Sequence, residues 1–296
     1  MTTDEERDRV LTEHILHSPA FRLAHEDPDF LAENDLRPVR VQLELIKPER
    51  ALRNHAIHST VVVFGSARII SPDVAEKQLN EARAHHRNDP TSQQPLLEAE
   101  RRVHWSRYYA EARRFSELVS RKFQREGRRD FVVVTGGGPG VMEAANLGAF
   151  GVGARTAGFN VALPTEQMPN PFITPDLAFR FHYFAMRKMH FLMRAKALVA
   201  FPGGYGTLDE LFEVLTLVQT RKMKSLPIVL FGPDFWNRAI DFDFLVAEGM
   251  IAPQDRDLFS FVETAEQAVS ILKDFYGGKP PVEPVNVHGH DTKGTK

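Results

Sequence analysis

Three short turns hold the residues whose types and spacing could do chemistry. Gly65-Ser66-Ala67-Arg68 follows the apolar run at 60–64, Gly136-Gly137-Gly138-Pro139-Gly140 follows that at 131–135, and Pro202-Gly203-Gly204-Tyr205-Gly206-Thr207 follows that at 196–201. The last two are rich in glycine and run straight into helical sequence. Glycine lets a ligand approach the backbone closely, and a helix start offers free N–H groups with partial positive charge. A single loop of this kind is explained by a tight strand-to-helix turn. Two such loops in one crevice, with Thr207 as hydroxyl donor and expected helix cap, favour an anion site. Glu210 falls one helical turn beyond Gly206-Thr207, within reach of the ribose of a nucleotide anchored there. A carboxylate beside an anomeric carbon stabilises an oxocarbenium-like sugar or activates water. Asp209 points about 100° away on the helix, whereas Glu213 projects near the face of Glu210 and is read as pairing with an arginine. Glu143, at the start of its helix, is read with equal weight as a ligand of ribose hydroxyls or as a helix cap.

Other chemistries find less support. Gly-x-x-x-x-Gly-Lys-[Ser/Thr] is absent, which argues against a Walker-type nucleotidase. Val141 stands where the dinucleotide fingerprint has its third glycine, and the strand at 158–164 ends without a ribose-binding acid, so NAD is a poor second choice. Lys188 and Lys196 lack the rest of a pyridoxal phosphate site, and the pairs His85-His86, His182 with His190, and His288 with His290 have no ligand set around them. No metal and no cofactor is expected. The complete lack of cysteine removes disulfides, thiolate catalysis and cysteine-ligated metals together.

The elements that must position these residues are legible in outline. Continuous rather than alternating apolar runs at 60–64 and 131–135 indicate strands covered on both faces. Further strands are expected at 156–163, 179–184, 196–201, 226–231 and near 259–263. Helices are expected at 98–126 (stopped by Gly127), 140–150, 186–194, 207–220, 234–247 and 264–275, and the polar stretch 84–95 reads as a solvated loop or a break between helices. On the helix at 207–220, the row Phe212, Leu215 and Val218 reads as core or dimer interface. Strands alternating with helices give an α/β fold: a Rossmann-like, doubly wound parallel sheet with helices on both faces. The division expected is a charged helical N-terminal extension over 1–56, a nucleotide-binding catalytic domain over 57–276, and a disordered tail over 277–296.

With 296 residues, 43% of them hydrophobic, the chain can fill a large core, and its net charge of −2 gives no global attraction to nucleic acid or to an anionic membrane. Met1 to Arg9 is too charged for a signal peptide, and no run approaches the ~20 apolar residues of a membrane helix. A cytoplasmic protein is expected. Arginine outnumbers lysine, 26 to 11, which suits phosphate handling and equally a GC-rich genome.

Phe201-Pro-Gly-Gly-Tyr-Gly-Thr-Leu-Asp-Glu210 resembles the Pro-Gly-Gly-x-Gly-Thr-x-x-Glu signature of the LOG family, once labelled "lysine decarboxylase-like", whose established members are nucleoside 5′-monophosphate phosphoribohydrolases. The turn at 65–68, the loop Gly136–Met142 and the Arg187-Lys188 pair agree with it, over roughly 57–250. The compact members commonly read Met-His-Glu-Arg-Lys where this chain has Phe184-Ala-Met-Arg-Lys188, and glycine where it has Glu143; the extension and a 77–98 insertion lie outside them. The resemblance implies hydrolysis of the N-glycosidic bond of a purine nucleoside 5′-monophosphate, of the AMP or cytokinin riboside monophosphate type, to free base and ribose 5-phosphate. It assigns the catalytic carboxylate to Glu210 and its partner to Arg187, with electrostatic stabilisation as the arginine's task. Substrate-binding residues are then Gly65, Ser66, Arg68, Gly136, Gly137, Gly138, Gly140, Glu143, Lys188, Gly203, Gly204, Gly206 and Thr207. It also implies a homodimer, with a small nucleotide as the other partner. The alternative is a non-catalytic nucleotide or cofactor carrier using the same crevice, which would not require the Arg187 and Glu210 pair.

Overall fold

The computed structural model describes residues 3–89, 93–162, 168–279 and 281. They divide into two compact units, Met1–Lys47 and Pro48–Lys296.

The smaller unit is helical, with α1 (Asp4–Leu16), α2 (Pro28–Ala32) and the first part of α3 (Arg37–Asn54). Asp27 caps α2 by accepting from the N–H groups of Asp29 and Phe30, and Pro28 takes the first helical position, where no N–H is needed. Arg40 of α3 donates to the carbonyls of Leu31 and Glu33 at 2.6 and 2.7 Å, tying down the chain after α2. Val10, Leu11 and Ile15 of α1 stay exposed.

The larger unit begins at Pro48, inside α3, rather than at the first strand signal near 57, because Leu52 on the last turns of α3 is buried in the core of the sheet. Its first half runs β1 (Thr60–Phe64), α4 (Pro72–Asn88), α5 (Gln93–Phe123), β2 (Gln124–Arg125), β3 (Arg128–Arg129), β4 (Val132–Thr135), α6 (Val141–Phe150), β5 (Thr156–Val161) and β6 (Ala178–Phe181). Its second half runs α7 (Phe184–Met193), β7 (Ala195–Ala200), α8 (Tyr205–Gln219), β8 (Ile228–Phe231), α9 (Pro233–Ala239), α10 (Phe242–Ala247), β9 (Ser260–Val262) and α11 (Ala265–Phe275).

Seven strands form one sheet in the order β6-β5-β4-β1-β7-β8-β9, every pairing parallel. The chain winds outward from β1 through β4, β5 and β6, then returns to the other side of β1 with β7, so the order reverses between β1 and β7. Alternate residues of β1 supply two cores. Val61 and Val63 pack with Phe115 of α5, Ala144 of α6 and Ala268 of α11; Val62 and Phe64 pack on the other face with Phe191 of α7, Leu211 of α8 and Trp236 of α9. Both faces of β1 are covered, which is why its sequence does not alternate.

Several local expectations shift. Helix α5 starts at Gln93 and ends at Phe123, and Gly127, at φ +77°, turns the β2–β3 hairpin instead of stopping a helix. The stretch 84–95 is mostly helical, since α4 reaches Asn88 and α5 resumes at Gln93. The helix expected at 234–247 breaks into α9 and α10 at Ile240, whose backbone is extended, and Asp241 recaps α10 by accepting from the N–H of Phe244. The row of α8 that faces the core is Leu211, Val214 and Val218, whereas Phe212 stays exposed. Residue 163 of the third expected strand, 164–167 of the loop after it, and 280 and 282–296 of the tail, with His288 and His290, lie outside the described residues.

Candidate active site

The three candidate turns meet where the strand order reverses, beyond the carboxyl ends of β1 and β7, the usual ligand crevice of an open parallel sheet. Ser66 joins them. Its N–H donates to the carbonyl of Pro202 (3.0 Å), its carbonyl accepts from the N–H of Val141 at the start of α6 (3.1 Å), and its hydroxyl accepts from the N–H of Arg68 (3.1 Å). Gly140 makes this approach feasible. Its φ is +73°, and the backbone of Ser66 and Ala67 stands where a side chain would begin.

The middle loop is held from below by buried amides. Thr135 donates its hydroxyl to Asn146 Oδ1 (2.7 Å) and accepts from the N–H of Gly137 (2.9 Å). Asn146 Nδ2 donates to the Thr156 hydroxyl (2.6 Å), and Asn170 Nδ2 donates to Asn146 Oδ1 (2.9 Å) and to the Gly138 carbonyl (3.0 Å). Every donor satisfied here fixes the loop against the ends of β4 and β5. Asn146 was detectable in sequence as a lone amide among the alanines and leucine of α6; Asn170 carried no such signal.

A cavity of about 620 Å³ opens above these loops, lined among others by Gly65, Ser66, Arg68, Gly136, Gly204, Gly206, Thr207, Arg187 and Glu210. Gly204 and Gly206 stand at the start of α8, where the first N–H groups lack intrahelical acceptors. A side-chain carbon added at either glycine would meet nothing within 4 Å, and neither has a positive φ. Packing therefore does not demand glycine at these positions, while a ligand seated on the helix start would. Thr207 is not the cap expected of it. The cap position belongs to Gly204, because Tyr205 and Gly206 already take helical geometry, and Thr207 lies buried one turn into α8.

Glu210 projects from the second turn of α8, 3% exposed, and Arg187 from α7 is 14% exposed, with its Nη2 3.6 Å from Glu210 Oε1. The pair is an ion contact without a hydrogen bond, and both Glu210 Oε1 and Arg187 Nε are buried with no hydrogen-bond partner among the described residues. Phe184 lies 4.3 Å under the guanidinium, with Phe191 at 5.6 Å, so the Phe that departs from the compact pattern serves as the platform for Arg187. Burial is the main force on the Glu210 carboxyl and pushes it up to about 7, against the lowering charges of Lys188 and Arg187. Burial likewise lowers the Arg187 pKa, with Glu210 opposing.

The remaining candidates sit around this cavity. Lys188 does not line it; its ammonium bonds Asp209 (2.9 Å) and Glu213 (3.2 Å), so the partner of Glu213 is a lysine and not an arginine. Burial opposes the charge on Lys188, yet these bonds and the charge of Glu210 raise its pKa overall. Glu143 accepts a 2.8 Å hydrogen bond from the Tyr109 hydroxyl of α5 and makes no capping bond. Gly137, Gly138 and Gly140 shape the middle loop beneath the cavity, and Gly203 faces an adjoining cleft. Among the described residues no group of three His, Asp or Glu could hold a metal ion.

A cavity at the switch point of an all-parallel sheet, with a glycine helix start on one wall, places the chain among the Rossmann-like α/β proteins. A family model described as "Possible lysine decarboxylase" matches residues 142–272. The chain is 31% identical over 165 residues to cytokinin riboside 5′-monophosphate phosphoribohydrolase LOG1 of Arabidopsis thaliana, spanning 54% of this chain and 72% of that protein. It is 30% identical to LOG3 of the same plant, spanning 54% and 71%. The chain belongs to the LOG family. Among solved structures, the Moco carrier protein of Chlamydomonas reinhardtii is 18% identical with a TM-score of 0.43, over 74% of this chain and 98% of that one. No helix among the described residues is long and apolar enough to cross a membrane.

Proposed function

We propose that this protein hydrolyses purine nucleoside 5′-monophosphates, of the AMP or cytokinin riboside monophosphate type, to free base and ribose 5-phosphate. The observation that carries the reading is the buried Glu210 carboxyl, one turn beyond the glycine start of α8, with Arg187 Nη2 at 3.6 Å and, among the described residues, no hydrogen-bond partner on Oε1. The names of the plant relatives agree with it.

The 5′-phosphate sits on the N–H groups of Gly204, Tyr205 and Gly206, ahead of Thr207, whose N–H donates to the Gly204 carbonyl, and the helix dipole there favours an anion. The ribose then lies against Glu210. As the bond from C1′ to the base nitrogen breaks, the ionised carboxylate stabilises the positive sugar and accepts a proton from the attacking water, whose oxygen becomes the new C1′ hydroxyl. The departing base takes up a proton from solvent and Glu210 then releases the one it accepted, so one water is consumed for each base freed. Arg187 remains charged throughout and offsets the negative charge that develops on the base. We place this reaction in the cytoplasm and in a homodimer, and light scattering of the purified protein tests the dimer.

The decisive experiment incubates pure protein with AMP, GMP, CMP and isopentenyl-AMP and measures liberated base by chromatography. Release from the purine monophosphates, with equimolar ribose 5-phosphate, is the result expected. Intact nucleotide after overnight incubation, in the presence of measurable binding, overturns the enzyme reading and leaves a nucleotide carrier.

A further inference from the structure

Beside the Arg187–Glu210 cavity lies a second cleft of about 740 Å³. The two share Ser66 and Arg68, and Gly203 of the second is followed in the chain by Gly204 of the first. The second cleft is walled by Arg68, Arg101 and Arg102 and floored by Trp105 and Phe235; among the described residues no carboxylate lines it. In a chain of net charge −2 this is a local concentration of positive charge. Its parts are held in place. Arg102 Nη1 donates to Gln78 Oε1 (2.9 Å), bridging α5 to α4, and the Trp105 ring stacks on Tyr108 and meets Phe235 edge-on, each at 5.8 Å. Of the lining residues only Gln78 falls within the 77–98 segment that the compact family pattern lacks, and it holds Arg102 of the basic wall.

We propose that this cleft takes the distal phosphates of a nucleoside 5′-di- or triphosphate whose first phosphate rests on the start of α8. The proposal rests on the placement of the 5′-phosphate argued above. Guanidinium forks match phosphate oxygens in pairs, and three of them without a competing carboxylate suit a polyphosphate better than a neutral ligand. The shared Ser66 and Arg68 make the cleft continuous with the nucleotide cavity, so one extended ligand spans both. The protein then discriminates nucleotides by the length of the phosphate chain, and di- and triphosphates compete with a monophosphate for the same cavity.

The test titrates the full-length protein with AMP, ADP and ATP in metal-free buffer by calorimetry. It is repeated with Arg101→Gln/Arg102→Gln, both exposed positions whose change leaves the core intact. The expected result is that ATP binds on the order of 10–100-fold more tightly than AMP, that AMP displaces it, and that the double variant loses this preference while its AMP affinity moves by less than about twofold. ATP that binds no more tightly than AMP, a preference unchanged in the variant, or ATP that AMP fails to displace overturns the proposal. Base release from AMP is scored separately. Its absence alongside an arginine-dependent ATP preference sinks the hydrolase reading and upholds the cleft; normal release without that preference does the reverse.

Discussion

Arg187 Nη2 stands 3.6 Å from Glu210 Oε1, closer than screening can cancel and too far for a hydrogen bond, with both groups withdrawn from water. A charge pair left open in this way keeps its remaining bonding capacity for something that enters the cavity between α7 and α8. The relationship also sets the protonation of Glu210, since burial pushes its pKa to about 7 while Lys188 and Arg187 hold it from rising further.

If ionised Glu210 accepts the proton of water, base release from AMP rises with pH through about 7 and levels off above it. Glu210→Gln lowers the rate by about 10²–10⁴ and removes that limb. Initial rates from pH 5.5 to 9 check both statements, and a variant that keeps its rate takes Glu210 out of the mechanism.

Stability follows the same group with a defined sign. The folded pKa lies above the ordinary 4.5 of the unfolded chain, so the native state binds more protons between the two values. The contribution is fully present below about 4.5 and is lost as pH rises through 7, by roughly 3 kcal/mol in all. Thermal unfolding should show Glu210→Gln raising Tm at pH 8 and having little effect at pH 5. An equal shift at both pH values would contradict the buried-charge account.

Arg187→Gln removes one of the charges that lower the Glu210 pKa. The rising limb of its pH profile therefore moves to higher pH, and the plateau rate falls by about 10²-fold or more with the loss of electrostatic stabilisation. A profile that falls in height without moving would separate Arg187 from the titration of Glu210.

Glycine substitutions should split into two kinds. Gly206→Ala lies in α8 with open space around it, so stability holds or rises by about 0.5–1 kcal/mol while KM for AMP rises about tenfold or more. Gly140→Ala forces a side chain onto a φ of +73° against the Ser66 backbone and costs about 1–3 kcal/mol or more. Urea midpoints and KM values for the two variants distinguish a ligand-facing glycine from a structural one.

The order of strands and helices was legible because a strand buried on both faces does not alternate apolar with polar residues, as the three consecutive valines of β1 and of β4 show, and because glycine turns punctuate them. The signature around Gly204 and Glu210 was legible because Gly203, Gly204 and Gly206 cluster at the start of α8, ahead of its apolar periodicity. Local pattern gave no sign that α5 would begin at Gln93 or that Asp241 would restart a helix after Ile240, since propensity there is weak and capping decides. Thr207 looked like a cap because hydroxyl residues favour that position, yet glycines ahead of it let α8 start earlier.

By itself the sequence determined the α/β class, the doubly wound sheet and the residue types available for chemistry, all of which follow from short-range pattern. Only the tertiary structure decided that Lys188 serves Asp209 and Glu213, that Glu143 is held by Tyr109, that Phe184 carries Arg187, and that Glu210 is buried enough to titrate near 7. The reason is physical. Contacts between separate elements, and the loss of water that shifts a carboxyl's pKa, depend on how helices pack around the carboxyl ends of β1 and β7, and no window of neighbouring residues contains that information.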